Sequence, residues 1–311
     1  MPIPSPLPRL PYELVVPGSI SNLGPAFDTL SVAVDLYLRV RVVEILPDAP
    51  DTIATAFSGP APAGDNRIET AYRQARERFG QPAPGVRLEV QSDIPVRAGL
   101  GSSGAATIAG LRLYELLTGP RTSDEWLPLA RDVEGHPDNV AAALLGGMTL
   151  SCQDDDGRVT ARSWRWPDDV QFVVVTPEVA LETAFARRIL PSTLPMRDAV
   201  FNLQRAVLLV RALDTARYDD LREALRDRWH QPYRAPHVPG LVEALALEDA
   251  ALLGVCLSGA GPSVVGLARR SRSREVADLM RGLYDRLGVP HRVRVLSAHQ
   301  ARPPEGERSE L

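Results

Sequence analysis

The stretch IPVRAGLGSSGAATIAGL, Ile94–Leu111, decides how the rest of the chain is read. A strand-like segment, GVRLEVQS (85–92), precedes it, and Ser103 to Leu117 follows with the spacing of a helix. A strand, a Gly-rich turn and a helix in that order leave successive backbone N–H groups unpaired at a helix N-terminus, where the dipole favours an anion. Gly99 and Gly101 permit backbone geometries that a Cβ would obstruct and allow a phosphate to approach closely. Ser102 and Ser103 add hydroxyl donors, and one of them can turn an oxygen toward Mg2+. The spacing is not that of a dinucleotide fingerprint, because no acidic residue on a next strand follows about 20 residues on. Taken alone, the stretch reads either as a phosphate cradle or as a turn into a core helix.

Working outward, 311 residues suffice for two packed domains with cores of their own. With 44% apolar and 24% charged residues the balance is that of an ordinary globular protein. A net charge of −4 gives no electrostatic reason to expect nucleic acid or an anionic membrane as partner. Cys152 and Cys256 lie far apart, so neither a zinc cluster nor a disulfide scaffold is expected, and a reducing cytoplasm fits. The opening MPIPSPLPRLPYELVV lacks the basic head and apolar run of a signal peptide, and nowhere is there an apolar run of about 18 residues to span a bilayer. All 35 basic residues are arginine. A Walker lysine, a protein-kinase lysine and a Schiff-base lysine are therefore excluded. Phosphate chemistry here must rest on backbone N–H groups, hydroxyls, arginines and metal.

The amino-terminal part reads as strands (YELVV and SVAVDLYLRVRVVEI), a turn-rich stretch (DAPDTIATAFSGPAPAGDN), and a helix closed by glycine (NRIETAYRQARERFG). TSDEWLPLARDVEG reads as a helix with Thr122 or Ser123 as N-cap. A hairpin is expected around Asp156-Gly157, then a strand, VQFVVVTP, and helices near 182–190, 197–213, 217–229 and 239–248. Strands LLGVCLSG and PSVVGLA, a helix near 272–287 and a last strand, HRVRVLSA, complete the pattern. The division into domains is placed at 1–166 and 167–311, and the tail RPPEGERSEL is expected to fray.

PVRAGLGSSGAA resembles the P-x-x-x-G-L-G-S-S-[AG]-A phosphate loop of the GHMP kinases, a family that phosphorylates small alcohols. VPGSISNLGPAFDTLSVAVDLY, EGHPDNVAAALLGG, TAFARRILP, HQPYRAPHVPGL and LSGAGPSVVGL resemble further segments of the branch of that family that acts on homoserine. The resemblance runs from about Val16 to Leu267. It implies an α+β, two-domain GHMP kinase fold: an amino-terminal domain like the second domain of ribosomal protein S5, and a ferredoxin-like carboxy-terminal domain. It further implies ATP and Mg2+ as cofactors and L-homoserine as substrate, phosphorylated to O-phospho-L-homoserine ahead of threonine synthase. A homodimer is left open.

Homoserine is a zwitterion with a terminal hydroxyl, so its site needs cations for the carboxylate and an acid for the ammonium. By resemblance Arg187 and Arg234 take the carboxylate, to which a guanidinium fork is matched. Asp28 takes the ammonium or the hydroxyl, with Asn22, His136 and Asn139 as neutral partners. His230 is left out of the site, as support for its loop. Pro95, Arg97, Ala98, Gly99, Leu100, Gly101, Ser102, Ser103 and Gly104 form the ATP loop, and Asn66 falls where family members contact the nucleoside. Ser103 and Glu134 are the expected Mg2+ ligands, and Thr183 touches the γ-phosphate. Gly259, Ala260 and Gly261 either shape the phosphate site from the second domain or form a packing turn between two strands.

Family members that use a general base have an aspartate at the position of Asn139, assisted by a lysine. Asn139 cannot accept the proton and the chain has no lysine; the resemblance to the members that act on homoserine implies transfer without an enzymatic base, the hydroxyl proton passing to the γ-phosphate. Asp138 is the alternative base. The usual signature is closer to P-A-x-S-A-N-L-G-P-G-F-D, and Gly18, Ile20 and Ala26 are among the departures from it; Ser31 stands where glycine is common and Ala142 where proline is. Ala26 is the departure of most consequence, since a left-handed backbone there would strain an alanine and displace Asp28. Two other readings compete. One is a kinase for another small alcohol, which in the isoprenoid case would show an aspartate in place of Asn139. The other is a binding protein of the same fold without catalysis, for which a broken phosphate loop would speak.

Overall fold

The computed structural model describes residues 9–50, 52–59, 64–179 and 181–300; the tail expected to fray lies outside them. Two sheets divide these residues. The first has six strands in the order β3-β4-β2-β5-β6, with β1 paired to β2 beside that path. Its strands are β1 (Tyr12–Ser21), β2 (Leu30–Leu46), β3 (Ile53–Phe57), β4 (Gly85–Ser92), β5 (Met148–Gln153) and β6 (Val159–Trp164). The 17-residue β2 is the spine: β1 pairs with it from Val42 to Ser31, β4 along Leu38–Leu46 and β5 at Leu30–Val32. Pro17 is tolerated in β1 because the register shifts between Pro17 and Gly18, a bulge at which no ladder donor is required.

The second sheet runs β10-β7-β9-β8, all antiparallel, from β7 (Val170–Pro177), β8 (Leu252–Leu257), β9 (Val264–Arg269) and β10 (His291–Leu296). Numbered within this half, the order is 4-1-3-2, the ferredoxin-like arrangement. The middle of β7, Phe172–Val175, is wholly apolar because both its faces are covered: Phe172 and Val174 join the core shared with the first sheet, Val173 and Val175 a second core on the far side. The halves are stitched by the chain after β10. Ala298 bridges Val34, and Asp35 N and His299 N bond Ser297 O and Ala33 O, filling the edge of β2 between β4 and β5.

Helices α1 (Arg67–Phe79), α2 (Ser102–Thr118), α3 (Ser123–Glu134) and α4 (Asp138–Leu145) belong to the first half. Thr122 caps α3 in a capping box with Glu125, and Asn66 caps α1. The second half carries α5 (Thr183–Arg188), α6 (Met196–Asp214), α7 (Leu221–Ala224), α8 (Gln231–Arg234), α9 (Leu241–Leu245) and α10 (Ser273–Arg286).

The sequence reading names no helix over α4 and departs from the structure in two further places. The stretch read as turn-rich contains β3, an edge strand parallel to β4, whose alanines and flanking Gly and Pro mask its β character. The helix expected over 217–229 ends at Ala224, after a short 3-10 turn at 218–220. It stops because the carboxylate of Asp227 accepts the N–H groups of Trp229, His230 and Gln231, which turns the chain into α8.

Candidate active site

A cleft of about 1070 Å3 lies between the two halves. It is lined from one side by the turn before α2, the start of α4 and the loop after β1, and from the other by α5, Arg234 and the β8–β9 turn. Of the residues expected from sequence, all but Pro95 and Gly261 line it.

At one end stands the N-terminus of α2. Gly101 is its N-cap, with φ of 72°, and no side chain caps the helix, so the N–H groups of its first turn face the cleft as an anion would require. The glycines also serve the packing of the loop itself. A Cβ on Gly99, also at positive φ, would strike Ser258 O and Gly261 O, and one on Gly101 would strike Ser19 Oγ. They let Ser19, Ser258 and Gly261 come close to the loop. Ser19 N bonds Leu100 O at 3.0 Å, Ser258 Oγ bonds Gly99 O at 2.6 Å and Ser263 N bonds Ala98 O at 3.2 Å. The loop is thus pinned by both halves. Gly18 serves the same approach, since a Cβ there would come within 2.8 Å of Leu100 O.

Beside the loop, Ser103 Oγ donates to Glu134 Oε1 at 2.8 Å, and Thr107 Oγ1 donates to the same oxygen at 2.6 Å. Two hydroxyls and a carboxylate at the end of α3 form a compact all-oxygen set of the kind a hard divalent cation accepts. Thr107 escaped the sequence reading, although a residue four after Ser103 on a helix shares its face. Asn66 has its amide committed, accepting from Ile68 N at 3.2 Å and donating to Thr55 Oγ1 at 3.3 Å. Arg97 reaches to 3.8 Å from Glu182 across the cleft, and exposed Thr183 begins α5 beside it.

The other end is charged. Arg187 grips Asp28 with both arms, Nη1 to Oδ2 at 2.8 Å and Nη2 to Oδ1 at 2.7 Å. Burial alone would lower the pKa of Arg187, but the Asp28 carboxylate outweighs it and raises that pKa. Asn22 ties this corner together, accepting from Asp28 N at 3.0 Å and donating to Gly259 O at 3.1 Å, so its amide is a strut. The left-handed positions of the loop are Asn22, Leu23, Gly24 and Asp28; Ala26 is not among them, and it sits unstrained in the core. The expected penalty at Ala26 is therefore absent.

Arg234 is 2% exposed. Its Nε donates to Ala186 O at 3.2 Å and its Nη1 to Gly259 O at 2.9 Å, which leaves Nη2 without an acceptor among the described residues. Burial first, then the charge of Arg187, pulls its pKa down to about 10. His230 Nε2 donates to Gly24 O at 2.7 Å while its Nδ1 lies 3.2 Å from Arg234 Nη1, the tautomer of a neutral ring that receives the guanidinium. Burial holds the pKa of His230 below its ordinary value. Asp227, its side chain fully buried, anchors this group from behind, a residue the sequence reading does not single out.

His136 Nδ1 is 2.6 Å from Asp138 Oδ1, and both residues are buried. Burial works against both charges, but each supplies the other's counter-charge: the His136 pKa is raised and that of Asp138 lowered. Asp28, His136 and Asp138 are near enough for one cation, yet both oxygens of Asp28 are already occupied by Arg187. Asn139 Oδ1 accepts from Ser19 Oγ at 2.7 Å and from Ser21 Oγ at 2.6 Å, partners more than 100 residues away in sequence.

Comparison with known proteins bears on this arrangement. Residues 66–147 match the GHMP kinases N terminal domain and residues 209–285 the GHMP kinases C terminal domain. The chain is 38% identical to the homoserine kinase of Moorella thermoacetica and 40% to that of a Thermus thermophilus strain. Each alignment covers 91% of this chain and 95% of the relative. The crystal structure of homoserine kinase from Cytophaga hutchinsonii superposes with a TM-score of 0.81 at 24% identity, covering 96% of this chain and 98% of that one. The Methanococcus jannaschii mevalonate kinase superposes with a TM-score of 0.68 at 15% identity, over 94% and 100%. With both domains matched and full-length relatives at this level of identity, the chain belongs to the GHMP kinase family, alongside the homoserine kinases of Moorella and Thermus.

Proposed function

We propose that this protein transfers the γ-phosphoryl group of ATP to the hydroxyl of L-homoserine, giving ADP and O-phospho-L-homoserine for threonine biosynthesis. The observation that carries the reading is the polarity of the cleft: uncapped helix N–H groups at one end, and Asp28 with Arg187 and Arg234 at the other. An alcohol bearing both an ammonium and a carboxylate matches the second end while its hydroxyl points toward the first. The homoserine kinase relatives at up to 40% identity support the same substrate.

The N–H groups of the first turn of α2, with Ser102, hold the phosphates, and Thr183 closes on the γ-phosphate from the second half. Ser103, Glu134 and Thr107 fit Mg2+, which when bound neutralises phosphate charge. Arg187 and Arg234 take the carboxylate, Asp28 the ammonium, and His136 stands by as a donor. In the transfer the hydroxyl oxygen forms a bond to γ-phosphorus, the bond to the bridging oxygen of ADP breaks with its electron pair, and the hydroxyl proton passes to a phosphoryl oxygen. Asn139 cannot take that proton, and both lone pairs of its Oδ1 face serine hydroxyls. Positioning and charge neutralisation are then the sources of catalysis. The division of the chain belongs at 166/167, between β6 and β7, and no helix among the described residues is long and apolar enough to cross a membrane.

The test is product identification: incubation with Mg-ATP and L-homoserine, read by phosphorus NMR. A new phosphomonoester appearing in step with ADP is expected. ADP release without a phosphorylated amino acid would overturn the reading.

A further inference from the structure

The departure at Ser31 gains a meaning from its neighbours. Ser31 Oγ lies 3.0 Å from Ser21 Oγ and 3.2 Å from Ile20 O; Ser21 Oγ in turn lies 2.6 Å from Asn139 Oδ1, and Ser19 Oγ 2.7 Å from the same atom. All three serines are buried. A hydroxyl donates once, so Ser21 and Ser19 spend their protons on Asn139, and Ser31 is left to donate to Ser21 or to Ile20 O.

The far side of the amide settles its orientation. Asn139 Nδ2 lies 3.5 Å from Asp138 Oδ1. The reversed amide would set an oxygen against that carboxylate and leave the hydroxyl of Ser19 without an acceptor, which is costly for a buried group. Asn139 lines the cleft, and with its oxygen doubly engaged only its N–H2 group can serve a ligand there. A carboxamide held this way donates to an oxygen that gains negative charge and cannot accept a proton.

We propose that Ser19 and Ser21, backed by Ser31, are positioning residues that hold Asn139 as a one-way hydrogen-bond donor toward the reacting oxygens. The assignment rests on the reaction proposed above and adds to it the device that fixes Asn139. It makes Asn139 a donor to the phosphoryl group in flight, and it makes turnover depend on side chains that touch no substrate.

The experiment is a double-mutant cycle in kcat, with Ser21→Ala, Asn139→Ala and the two combined; Ser19→Ala is a second arm should Ser21→Ala fail to fold. In the wild-type background Ser21→Ala lowers kcat about tenfold with KM for ATP nearly unchanged, and in the Asn139→Ala background it lowers kcat less than about twofold. Equal losses in both backgrounds, or no loss in either, would overturn the clamp. Wild-type turnover of L-homoserine is measured in the same series: its absence overturns the proposed reaction and the clamp together, whereas its presence with additive losses overturns the clamp alone.

Discussion

Arg187 and Asp28 form a two-pronged ion pair across the cleft, at 2.7 and 2.8 Å, one partner from α5 and the other from the loop after β1. Their side chains are 36% and 31% exposed, so the pair is neither a solvated surface contact nor sealed from a ligand. A zwitterion can divide it without stranding a charge, because carboxylate replaces Asp28 on Arg187 while ammonium replaces Arg187 on Asp28. A singly charged alcohol leaves one partner bare in a partly desolvated place.

Substrates lacking one charge should therefore be poor. γ-Hydroxybutyrate, which has no ammonium, and aminopropanol, which has no carboxylate, are expected to show kcat/KM at least about 100-fold below that of L-homoserine. Asp28→Asn should narrow the gap between L-homoserine and γ-hydroxybutyrate, since no acid is left to strand. Steady-state ADP release checks both, and an unchanged gap in the variant would remove the exchange.

Arg234→Lys loses the contacts to Ala186 O and Gly259 O as well as the free Nη2. KM for L-homoserine should rise by about tenfold or more while KM for ATP stays near its original value. Because the guanidinium is also a buried strut, Tm should fall by roughly 2–6 °C. A KM within error of wild type would place Arg234 outside the substrate site.

Glu134→Gln keeps an acceptor for Ser103 and Thr107 but removes the charge. The Mg2+ concentration for half-maximal rate should rise by about tenfold or more, with Tm little altered. A magnesium titration of ADP release decides it; an unshifted midpoint would mean that the metal is held elsewhere.

The His136–Asp138 pair makes stability depend on pH with a definite sign. The folded-state pKa of His136 is raised above 6.5, so its contribution is complete below that value and is lost as pH rises through the raised one. That of Asp138 is lowered below 3.8, so its contribution is present above 3.8 and lost as pH falls through the lowered value. Thermal melts should show wild type losing more Tm than His136→Gln as pH rises from about 6 to 9. Parallel curves would mean that the pair carries no such linkage.

What sequence disclosed and what it withheld follow one physical line. The phosphate loop was legible because strand, glycines and helix are contiguous, and β7 and α10 because their apolar pattern is local. Arg187, Arg234, His136 and Asp28 were legible by resemblance to a family, and the cleft brings them together. The serines that grip Asn139 were not, since Ser21 reaches it only when β1 lies beside α4. Thr107 could have been read from its spacing to Ser103. Asp227 could not, because nothing in a lone aspartate announces that three backbone N–H groups will turn to meet it. That Gly99 and Gly101 also make room for Ser19 and Ser258 could not be read from sequence, since those residues meet the loop only in the folded chain.

The most direct test of the account is kcat/KM with Mg-ATP for L-homoserine beside D-homoserine, L-threonine, L-serine and mevalonate. The account predicts a preference for L-homoserine of about 100-fold or more over each of the others, from the fixed placing of Asp28, Arg187 and Arg234. Equal or faster turnover of mevalonate, which carries no ammonium, would contradict it.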